Sequence, residues 1–360
     1  MKRRFGIPPA TAREQLQKDH SLVAQTQSFQ PLPAPTGQAP FRLELTGVLG
    51  SEPQSLSLHV IGDHGGVMDP LPQAHVAAAL AADHTKRPVS CCWSVGDVVY
   101  FNGAEVEYPS QFGEPYAHYN VPVLAIPGNH DGDPLPGEVS LAAFMRNFCA
   151  AQPQLLPSMA EYQRDTMTQP NCYWTLRSAH ATIVGLYSNV PEGGEIRPPQ
   201  IEWLTGELEN APQGVPLIVA LHHPPYSADA HHGGSERMGK MLDEAFQRAH
   251  RVPDLVLTGH VHNYQRFSRS LPATFIGDNV ARQLPYIVIG NSGYHHLHAM
   301  AQGAAAGEEL APGVKLVSFC ADRWGFLRLG VGQGQIQGSF TAVDREGKVT
   351  PDLDTFSIPA

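Results

Sequence analysis

The sequence predicts an α/β fold, because short apolar runs alternate with segments of helical character from about residue 41 onward. The apolar runs are rich in β-branched residues, as strands are, and they lie at residues 57–61, 89–95, 121–126, 217–221, 254–257 and 286–289. Candidate helices fall between several of these runs, at residues 72–83, 139–148, 198–209 and 236–250. Two further segments show the strand pattern of hairpins, residues 173–189 and 325–343.

The composition is that of a globular protein. Hydrophobic residues make up 42% of the 360 residues, which is enough for a sizeable core and excludes a disordered chain. The formal charge of −10, from 24 basic and 34 acidic residues, does not favour binding to a phosphate backbone, so we expect no nucleic-acid partner. The 18 histidines favour metal chemistry, since imidazole is the commonest metal ligand.

We expect two parts along the chain. Residues 1–40 form a polar N-terminal arm that has helical character at residues 11–25 and becomes Pro-rich at residues 31–40. Residues 41–360 form one domain, in which residues 132–172 are a helical insertion near the site.

The cysteines and the N-terminal residues predict a cytoplasmic protein. The cysteines are odd in number and scattered, so they do not indicate a disulfide framework; they are Cys91, Cys92, Cys149, Cys172 and Cys320. No apolar stretch approaches the ~18 residues needed to span a bilayer, so we expect no membrane span. No secretion signal is evident, because Pro8, Pro9 and Glu14 stand where its apolar part would follow the basic residues 2–4.

Five of the apolar runs end in a glycine or a kink that is followed by side chains able to bind metals. In chain order these clusters are Gly62-Asp63-His64-Gly65-Gly66, Gly96-Asp97-Val98-Val99-Tyr100, Gly128-Asn129-His130-Asp131, Leu221-His222-His223-Pro224-Pro225 and Gly259-His260-Val261-His262. Ligands of open α/β sheets bind outside the carboxyl ends of the strands, so we expect these clusters to converge. Oxygen and imidazole donors without thiolates suit Fe, Mn or Zn.

This ordered series resembles the five-motif signature of the calcineurin-like metallophosphoesterases, and within them the purple acid phosphatase branch. Two positions select the branch: Gly65 stands where other members have a histidine, and Tyr100, three residues after Asp97, replaces the lost ligand. The resemblance implies a metallophosphoesterase fold. This fold is a two-sheet β-sandwich flanked by helices, with a dinuclear metal site at the C-terminal ends of the strands.

The resemblance also implies which residues bind the two ions, with Asp97 as the bridging ligand. The first ion would be held by Asp63, Asp97, Tyr100 and His262, and the second by Asp97, Asn129, His222 and His260. Two carboxylates and a potential tyrosinate suit Fe(III) in the first position. The neutral donors of the second set suit a divalent ion, which is Fe, Zn or Mn.

A dinuclear centre implies attack on phosphorus by a metal-activated hydroxide, because two ions acidify a bound water and stabilise the attacking and leaving oxygens. No protein nucleophile is needed, and the chain has no G-x-S-x-G motif. A histidine would protonate the leaving group. His231 is preferred for this role because it follows His222 by nine residues, as in the family, with His232 beside it and His130 as an orienting residue.

The resemblance implies a phosphoric ester hydrolase, most simply a purple acid phosphatase-like phosphomonoesterase that acts on a small-molecule phosphate ester. One alternative is a phosphodiesterase with the same centre, acting on a cyclic nucleotide or a phospholipid head group. Another is a binding protein that retains the fold without turnover. The oligomeric state and the roles of His64 and His223 stay open, and residues 294–298, which include three histidines, are expected to form a loop over the sheet edge.

Overall fold

A computed structural model describes residues 9–20, 27–332 and 334–359 of the chain. Within these ranges the strands are β1 (Arg42–Glu44), β2 (Leu56–Ile61), β3 (Cys91–Ser94), β4 (Val123–Ala125), β5 (Trp174–Arg177), β6 (Thr182–Gly185), β7 (Leu217–Ala220), β8 (Leu255–Thr258), β9 (Tyr264–Leu271), β10 (Arg282–Ile289), β11 (Glu309–Ala311), β12 (Val314–Cys320), β13 (Trp324–Gly332), β14 (Gln335–Val343) and β15 (Val349–Pro359). The α-helices are α1 (Ala12–Leu16), α2 (Leu45–Leu49), α3 (Leu71–Lys86), α4 (Asn129–Gly132), α5 (Ala142–Phe148), α6 (Pro198–Glu209) and α7 (Glu236–Arg248). Short 3-10 or π turns lie at Glu105–Glu107, Pro109–Gly113 and Pro157–Tyr162.

The strands form two sheets. One has six strands in the order β15-β14-β13-β2-β3-β4, and the other has nine in the order β1-β5-β6-β7-β8-β10-β9-β12-β11. In the first sheet β2, β3 and β4 are parallel, and in the second β6, β7, β8 and β10 are parallel. The loops that follow each parallel set therefore leave from one edge of its sheet. The five motif clusters are divided between these two sets of loops.

The core lies in three layers between and outside the sheets. Trp93 of β3 and Ile218 of β7 pack in the layer between the two sheets. Cys92, the neighbour of Trp93, points to the opposite face and packs with Leu80 of α3, as the alternation of a strand requires. Leu242 of α7 packs against the outer face of the nine-stranded sheet. This arrangement, with helices outside two face-to-face sheets, confirms the predicted fold class.

Most predicted elements are present with shifted ends. All six apolar runs contain a strand, both hairpins form, as β5–β6 and β13–β14, and α6 has the predicted bounds. Helix α7 ends at Arg248, two residues before the predicted end, and α5 begins at Ala142, three residues after the predicted start. Residues 132–172 contain α5 and the turn Pro157–Tyr162, and the rest of this segment is largely irregular.

The described part of the N-terminal arm packs against the domain. Helix α1 buries Ala12 and Leu16, which lie four residues apart on one face, in the core beside α6 and α7. The backbone N–H of Gly234 donates to the carbonyl of Gln15 (2.8 Å), and that of Lys18 donates to the carbonyl of Gly234 (2.7 Å). The helix ends at Leu16, so residues 17–19 do not continue the predicted helix, and its residues 21–25 lie outside the described residues, as do residues 1–8.

Two further features concern the pairing of the cysteines and the apolar character of the helices. All five cysteines are buried and free. Among the described residues, no helix combines the length and the apolar character needed to cross a membrane.

Candidate metal centre

The five motif clusters meet at one edge of the sandwich, between the two sheets. The loops after β2, β3 and β4 carry Asp63, Asp97 and Asn129, and the loop after β7 carries His222. Nε2 of His222 lies 3.4 Å from Oδ2 of Asp97 and 3.0 Å from Oδ1 of Asn129, so the two sheets contribute to a single site. The predicted ligand residues are all buried there: Asp63, Asp97, Tyr100, Asn129, His222, His260 and His262.

Three donor atoms of the set expected for the second ion face one another. Oδ1 of Asn129 is 3.0 Å from Nε2 of His222 and 3.0 Å from Nδ1 of His260. Nδ1 of His222 lies 2.9 Å from the carbonyl oxygen of Val95. Because a carbonyl oxygen only accepts hydrogen bonds, Nδ1 carries a hydrogen. In the neutral ring, which is the form that binds a cation, the hydrogen therefore lies on Nδ1 and the lone pair of Nε2 is directed into the site.

The set expected for the first ion forms a second group beside it. The Tyr100 hydroxyl is 3.4 Å from Oδ1 of Asp63 and 3.4 Å from Nε2 of His262. Nε2 of His262 is in turn 3.5 Å from Oδ1 of Asp63. Oδ2 of Asp63 accepts a hydrogen bond from the backbone N–H of His260 (2.8 Å), which joins the two groups.

Three of these residues have left-handed backbone conformations. Asp63, Asp97 and His260 have φ angles of 52°, 53° and 69°. Residues other than glycine seldom adopt this conformation, and those that do cluster at functional sites. Each of the three follows the end of a strand, where the strain places a donor side chain at the sheet edge.

The electrostatics of the site favour a bound cation. Burial raises the pKa of Asp63, and the nearby Asp97 raises it further. Burial by itself would lower the pKa of His222, but Asp97 and Asp63 outweigh this effect and raise it to about 9. Asp63, Asp97 and His222 each place one possible ligand atom within 4.8 Å of the other two. Among the described residues that line the adjoining cavity there is no lysine or arginine to balance the carboxylates. Buried carboxylates need a positive partner, so these residues fit metal ions.

Asp131 holds two of the ligand loops together, a role that the sequence analysis missed. Its carboxylate accepts hydrogen bonds from the backbone N–H groups of Val98 (3.1 Å), Val99 (3.2 Å) and Gly128 (2.8 Å). Burial and the charge of Asp97 raise the pKa of Asp131 to about 7. The motif that contains it identified a strand end but not the partners of this carboxylate.

His64 and His223, whose roles the sequence left open, lie beneath the site. Nε2 of His64 is 2.9 Å from the Ser94 hydroxyl and its Nδ1 is 3.2 Å from the Tyr116 hydroxyl. Burial lowers the pKa of His64 to about 3, so the ring is neutral. Nδ1 of His223 is 2.7 Å from the Ser188 hydroxyl, and burial lowers its pKa as well. Neither histidine lines the cavity.

A cavity of about 410 Å³ opens beside the ligand groups. Its lining includes candidate ligands and a ring of further polar and aromatic side chains, which are Gln27, His130, Glu192, His232, Tyr294, His295, His296 and His298. Nδ1 of His130 lies 2.8 Å from the carbonyl oxygen of Phe101, and its backbone N–H donates to Oδ1 of Asp97 (3.0 Å). His130, which follows β4, is thus anchored to the ligand loop after β3.

The structure places the two neighbouring histidines at residues 231 and 232 differently relative to the cavity. His232 lines the cavity with its ring centroid 4.5 Å from that of His260, whereas His231 is exposed and does not line it. The carboxylate of Asp229 accepts hydrogen bonds from the backbone N–H groups of His231 (2.9 Å) and His232 (2.6 Å). Both rings lie beside His298, with centroid distances of 4.6 Å for His231 and 5.3 Å for His232, but only His232 lines the cavity.

The histidine-rich segment 294–298 is a loop after β10 at the sheet edge, as expected, and four of its five residues also line the cavity. The backbone N–H of Tyr294 donates to the carbonyl of Asp63 (2.9 Å), and that of His298 donates to the carbonyl of His262 (3.0 Å). These bonds attach the loop after β10 directly to two ligand loops. β10 is parallel to β8, so the loop after β10 also leaves from the carboxyl ends of the parallel strands, where ligands bind in α/β sheets.

Glu192 is a further cavity residue that the sequence analysis did not identify. It lies in the loop after β6, another parallel strand of the nine-stranded sheet. Its Oε1 is 3.2 Å from Nδ1 of His232 and 3.5 Å from Nε2 of His260. The only signal in the sequence is its position after a predicted strand, because Glu192 belongs to none of the five motifs.

The chain belongs to the calcineurin-like phosphoesterase family, whose model, described as "Calcineurin-like phosphoesterase", matches residues 56–264, more than half of the chain. Its curated relatives include purple acid phosphatases of Arabidopsis thaliana. "Purple acid phosphatase 23" is 25% identical over 73% of this chain and 56% of its own length. "Fe(3+)-Zn(2+) purple acid phosphatase 12" is 34% identical over 26% of this chain and 19% of its own length.

Among solved structures, a purple acid phosphatase from yellow lupin seeds has the same fold. It superposes with a TM-score of 0.59 at 16% identity, over 86% of this chain and 54% of the lupin chain. The chain spans about half the length of the curated relative that it matches over the longest stretch. The similarity therefore covers the metallophosphoesterase domain and establishes phosphoester hydrolysis as the chemistry of the family.

Proposed function

We propose that this protein hydrolyses small phosphomonoesters at a dinuclear metal centre of the purple acid phosphatase type. The observation that carries the proposal is the meeting of two buried donor groups at one edge of the sandwich, where Asp97 contacts His222 of one group and the Tyr100 hydroxyl of the other. The family match and the purple acid phosphatase relatives support the same chemistry.

In this proposal Asp63, Tyr100 and His262 hold the first ion, and the second is held by Asn129, His222 and His260, with Asp97 shared. A dinuclear centre bound here would supply activation of a water molecule and neutralisation of charge on the phosphoryl oxygens. His222 would offer Nε2 to the ion, because its Nδ1–H donates to the carbonyl of Val95.

The histidines that line the cavity handle the substrate. Nδ1–H of His130 donates to the carbonyl of Phe101, so Nε2 donates to a phosphoryl oxygen only when the ring is protonated. His232 lies beside His260 and delivers a proton to the leaving alkoxide as the bond to phosphorus breaks. His231 is a less suitable donor, because its ring lies outside the cavity lining.

We propose Fe(III) for the first ion and a divalent Fe, Zn or Mn for the second. Burial and the charges of Asp97 and Asp63 raise the pKa of Tyr100 well above its ordinary value of 10.0, so only a strongly polarising ion would convert it to tyrosinate. The name of one relative, an Fe(3+)-Zn(2+) enzyme, supports this pair of ions.

The cavity suits a small organic phosphate. Its volume of about 410 Å³ falls within the ~300–1,000 Å³ of small-molecule sites. A phosphodiester would use the same centre, and no feature of the described cavity favours it over a monoester.

A reducing, cytoplasmic location also stays a proposal. The five free thiols support it, because disulfides persist in oxidising compartments and are rare in the cytosol. Cell fractionation tests this location.

Metal analysis combined with a substrate panel tests the proposed function. Purified protein is analysed for metals and assayed with p-nitrophenyl phosphate, glycerol phosphate, bis(p-nitrophenyl) phosphate and a cyclic nucleotide. We expect two ions per chain and a kcat/KM that is higher for the monoesters. Faster turnover of the diesters would establish the phosphodiesterase alternative, and two bound ions without turnover of any substrate would establish the binding-protein alternative.

A further inference from the structure

Glu192 lies between two histidines with different tasks. Its Oε1 is 3.2 Å from Nδ1 of His232, within hydrogen-bond distance, and 3.5 Å from Nε2 of His260. One carboxylate oxygen therefore faces both the proposed proton donor and a proposed metal ligand. Neither the family motifs nor the spacing of the other site residues assigns a role to this glutamate.

The geometry around His260 requires a proton acceptor at this position. Nδ1 of His260 is 3.0 Å from Oδ1 of Asn129, which is also 3.0 Å from Nε2 of His222. A metal ion bound among these atoms needs the lone pair of Nδ1, so the neutral ring must carry its hydrogen on Nε2. Glu192 presents its oxygen to this Nε2–H. Metal-bound histidines commonly donate their second N–H to a carboxylate in this way.

The same oxygen determines how His232 faces the cavity. Because Nδ1–H of His232 donates to Glu192, the proton available for a leaving group is the one that Nε2 carries when the ring is protonated, and Nε2 becomes the unprotonated nitrogen once it is delivered. A ring rotated by half a turn would place Nε2 against Glu192 and remove it from the substrate. Glu192 thus selects one of two ring orientations.

The loop that carries Glu192 is held in place from several sides. The backbone N–H of Glu195 donates to the carbonyl of Ser188 (2.7 Å), and Nη1 of Arg237 donates to the carbonyl of Gly194 (3.1 Å). A Cβ at Gly193 would lie 2.9 Å from Cβ of His20, so the N-terminal segment packs directly on this loop. The fold therefore fixes the backbone next to Glu192, and the carboxylate itself is placed by its contacts with His232 and His260.

We propose that Glu192 is a positioning residue that sets the tautomer of His260 for the second metal ion and the orientation of His232 for proton delivery. This inference rests on the proposed function, since it explains how His260 is made ready to bind the second ion and His232 to deliver a proton. This positioning role requires a hydrogen-bond acceptor at residue 192. A negative charge without an acceptor oxygen in this place would not perform it.

Two substitutions separate the acceptor from the charge. Glu192→Leu removes the acceptor, and Glu192→Gln keeps an acceptor oxygen while removing the charge. Glu195→Gln is the matched control, because Glu195 lies in the same loop and pairs with Arg197 (3.2 Å) without lining the cavity. Thermal unfolding of the metal-free variants verifies that each one is folded.

The first measurement is Zn²⁺ binding to metal-free protein in competition with a chelator. We expect Glu192→Leu to weaken one of the two Zn²⁺ sites by about 10 to 100-fold and to leave the other unchanged. Glu192→Gln should stay within a few-fold of the unsubstituted protein, as should Glu195→Gln. Equal affinities for Glu192→Leu and Glu195→Gln, or an equal loss for Glu192→Leu and Glu192→Gln, would overturn the inference.

The second measurement compares leaving groups. Glu192→Leu should lower kcat for glycerol phosphate, whose alkoxide needs a proton, by about 10 to 100-fold, and affect p-nitrophenyl phosphate far less. An equal loss on both substrates would overturn the assignment for His232. If no ester is hydrolysed by the unsubstituted protein, the proposed function fails, and the Zn²⁺ measurement still decides the assignment for His260.

Discussion

Gly65 and Tyr100 are complementary in shape, because a Cβ atom added to Gly65 would lie 2.8 Å from Cδ2 of the Tyr100 ring. The tyrosine ring fills the space that a side chain at position 65 would need. Its hydroxyl thereby reaches a point 3.4 Å from Oδ1 of Asp63. The absence of a side chain at residue 65 and the presence of a candidate phenol ligand are thus two parts of one structural feature.

A first prediction concerns the colour of the iron-loaded, oxidised protein. Tyrosinate bound to Fe(III) gives a visible charge-transfer band, which we expect in the unsubstituted protein and not in Tyr100→Phe. Gly65→Ala should weaken the band by displacing the ring. Absorption spectroscopy with metal analysis measures both effects, and Tyr294→Phe, whose ring centroid is 4.5 Å from that of Tyr100, is the control. A band that persists in Tyr100→Phe would remove Tyr100 from the ligand set.

A second prediction concerns Asn129, whose Oδ1 faces two imidazoles. Asn129→Ala should reduce the metal content toward one ion per chain and lower kcat by at least about 10 to 100-fold. Asn120→Ala, at an exposed position outside the site, should change neither quantity. Full activity with a single ion would contradict the dinuclear centre.

A third prediction distinguishes the two neighbouring histidines. His232→Ala should slow hydrolysis of glycerol phosphate by about 10²–10⁴-fold and that of p-nitrophenyl phosphate much less, as loss of a general acid requires. His231→Ala should have the smaller effect, because its side chain lies outside the cavity lining. Steady-state kinetics on both substrates provide the measurement. A larger loss in His231→Ala would restore the preference drawn from spacing.

A fourth prediction concerns stability and pH, at a site remote from the metal ligands. His59 is buried, with Nδ1 2.7 Å from the Tyr119 hydroxyl and Nε2 2.9 Å from Oδ2 of Asp83. Burial lowers the pKa of His59 below its ordinary value of 6.5, despite the opposing effect of Asp83. The unfolded chain then binds the proton more readily. Neutral His59 therefore contributes fully to the free energy of unfolding above pH 6.5, and this contribution declines as the pH falls toward the pKa that His59 has in the folded protein.

Chemical denaturation of the metal-free protein between pH 7.5 and 5 tests this prediction on the free energy of unfolding. In His59→Gln the dependence on pH should be shallower than in the unsubstituted protein, by up to about 1.4 kcal/mol per pH unit. Identical slopes would show that His59 keeps an ordinary pKa in the folded protein.

Local patterns were sufficient for much of the fold and of the candidate ligand set. The strands β2, β3, β7 and β8 are short apolar runs buried on both faces, so composition alone reveals them. Strands such as β9 were not predicted, since Arg266 and Arg269 interrupt the apolar pattern. Arg269 is stabilised by Asp243 and Arg266 by Asp354, partners that are distant in sequence.

The sequence by itself determined the α/β alternation and the donors at the strand ends, because these depend on residue type and on spacing along a single strand and its loop. Only the tertiary structure decided that His232 rather than His231 lines the cavity, that His64 points into the core, and that Glu192 faces two histidines. The physical reason is that a side chain's direction is set by the turn that carries it and by the packing of remote segments on that turn. Asp229 shapes the turn at residues 231–232, and His20 packs against Gly193 beside Glu192, contacts that no local pattern encodes.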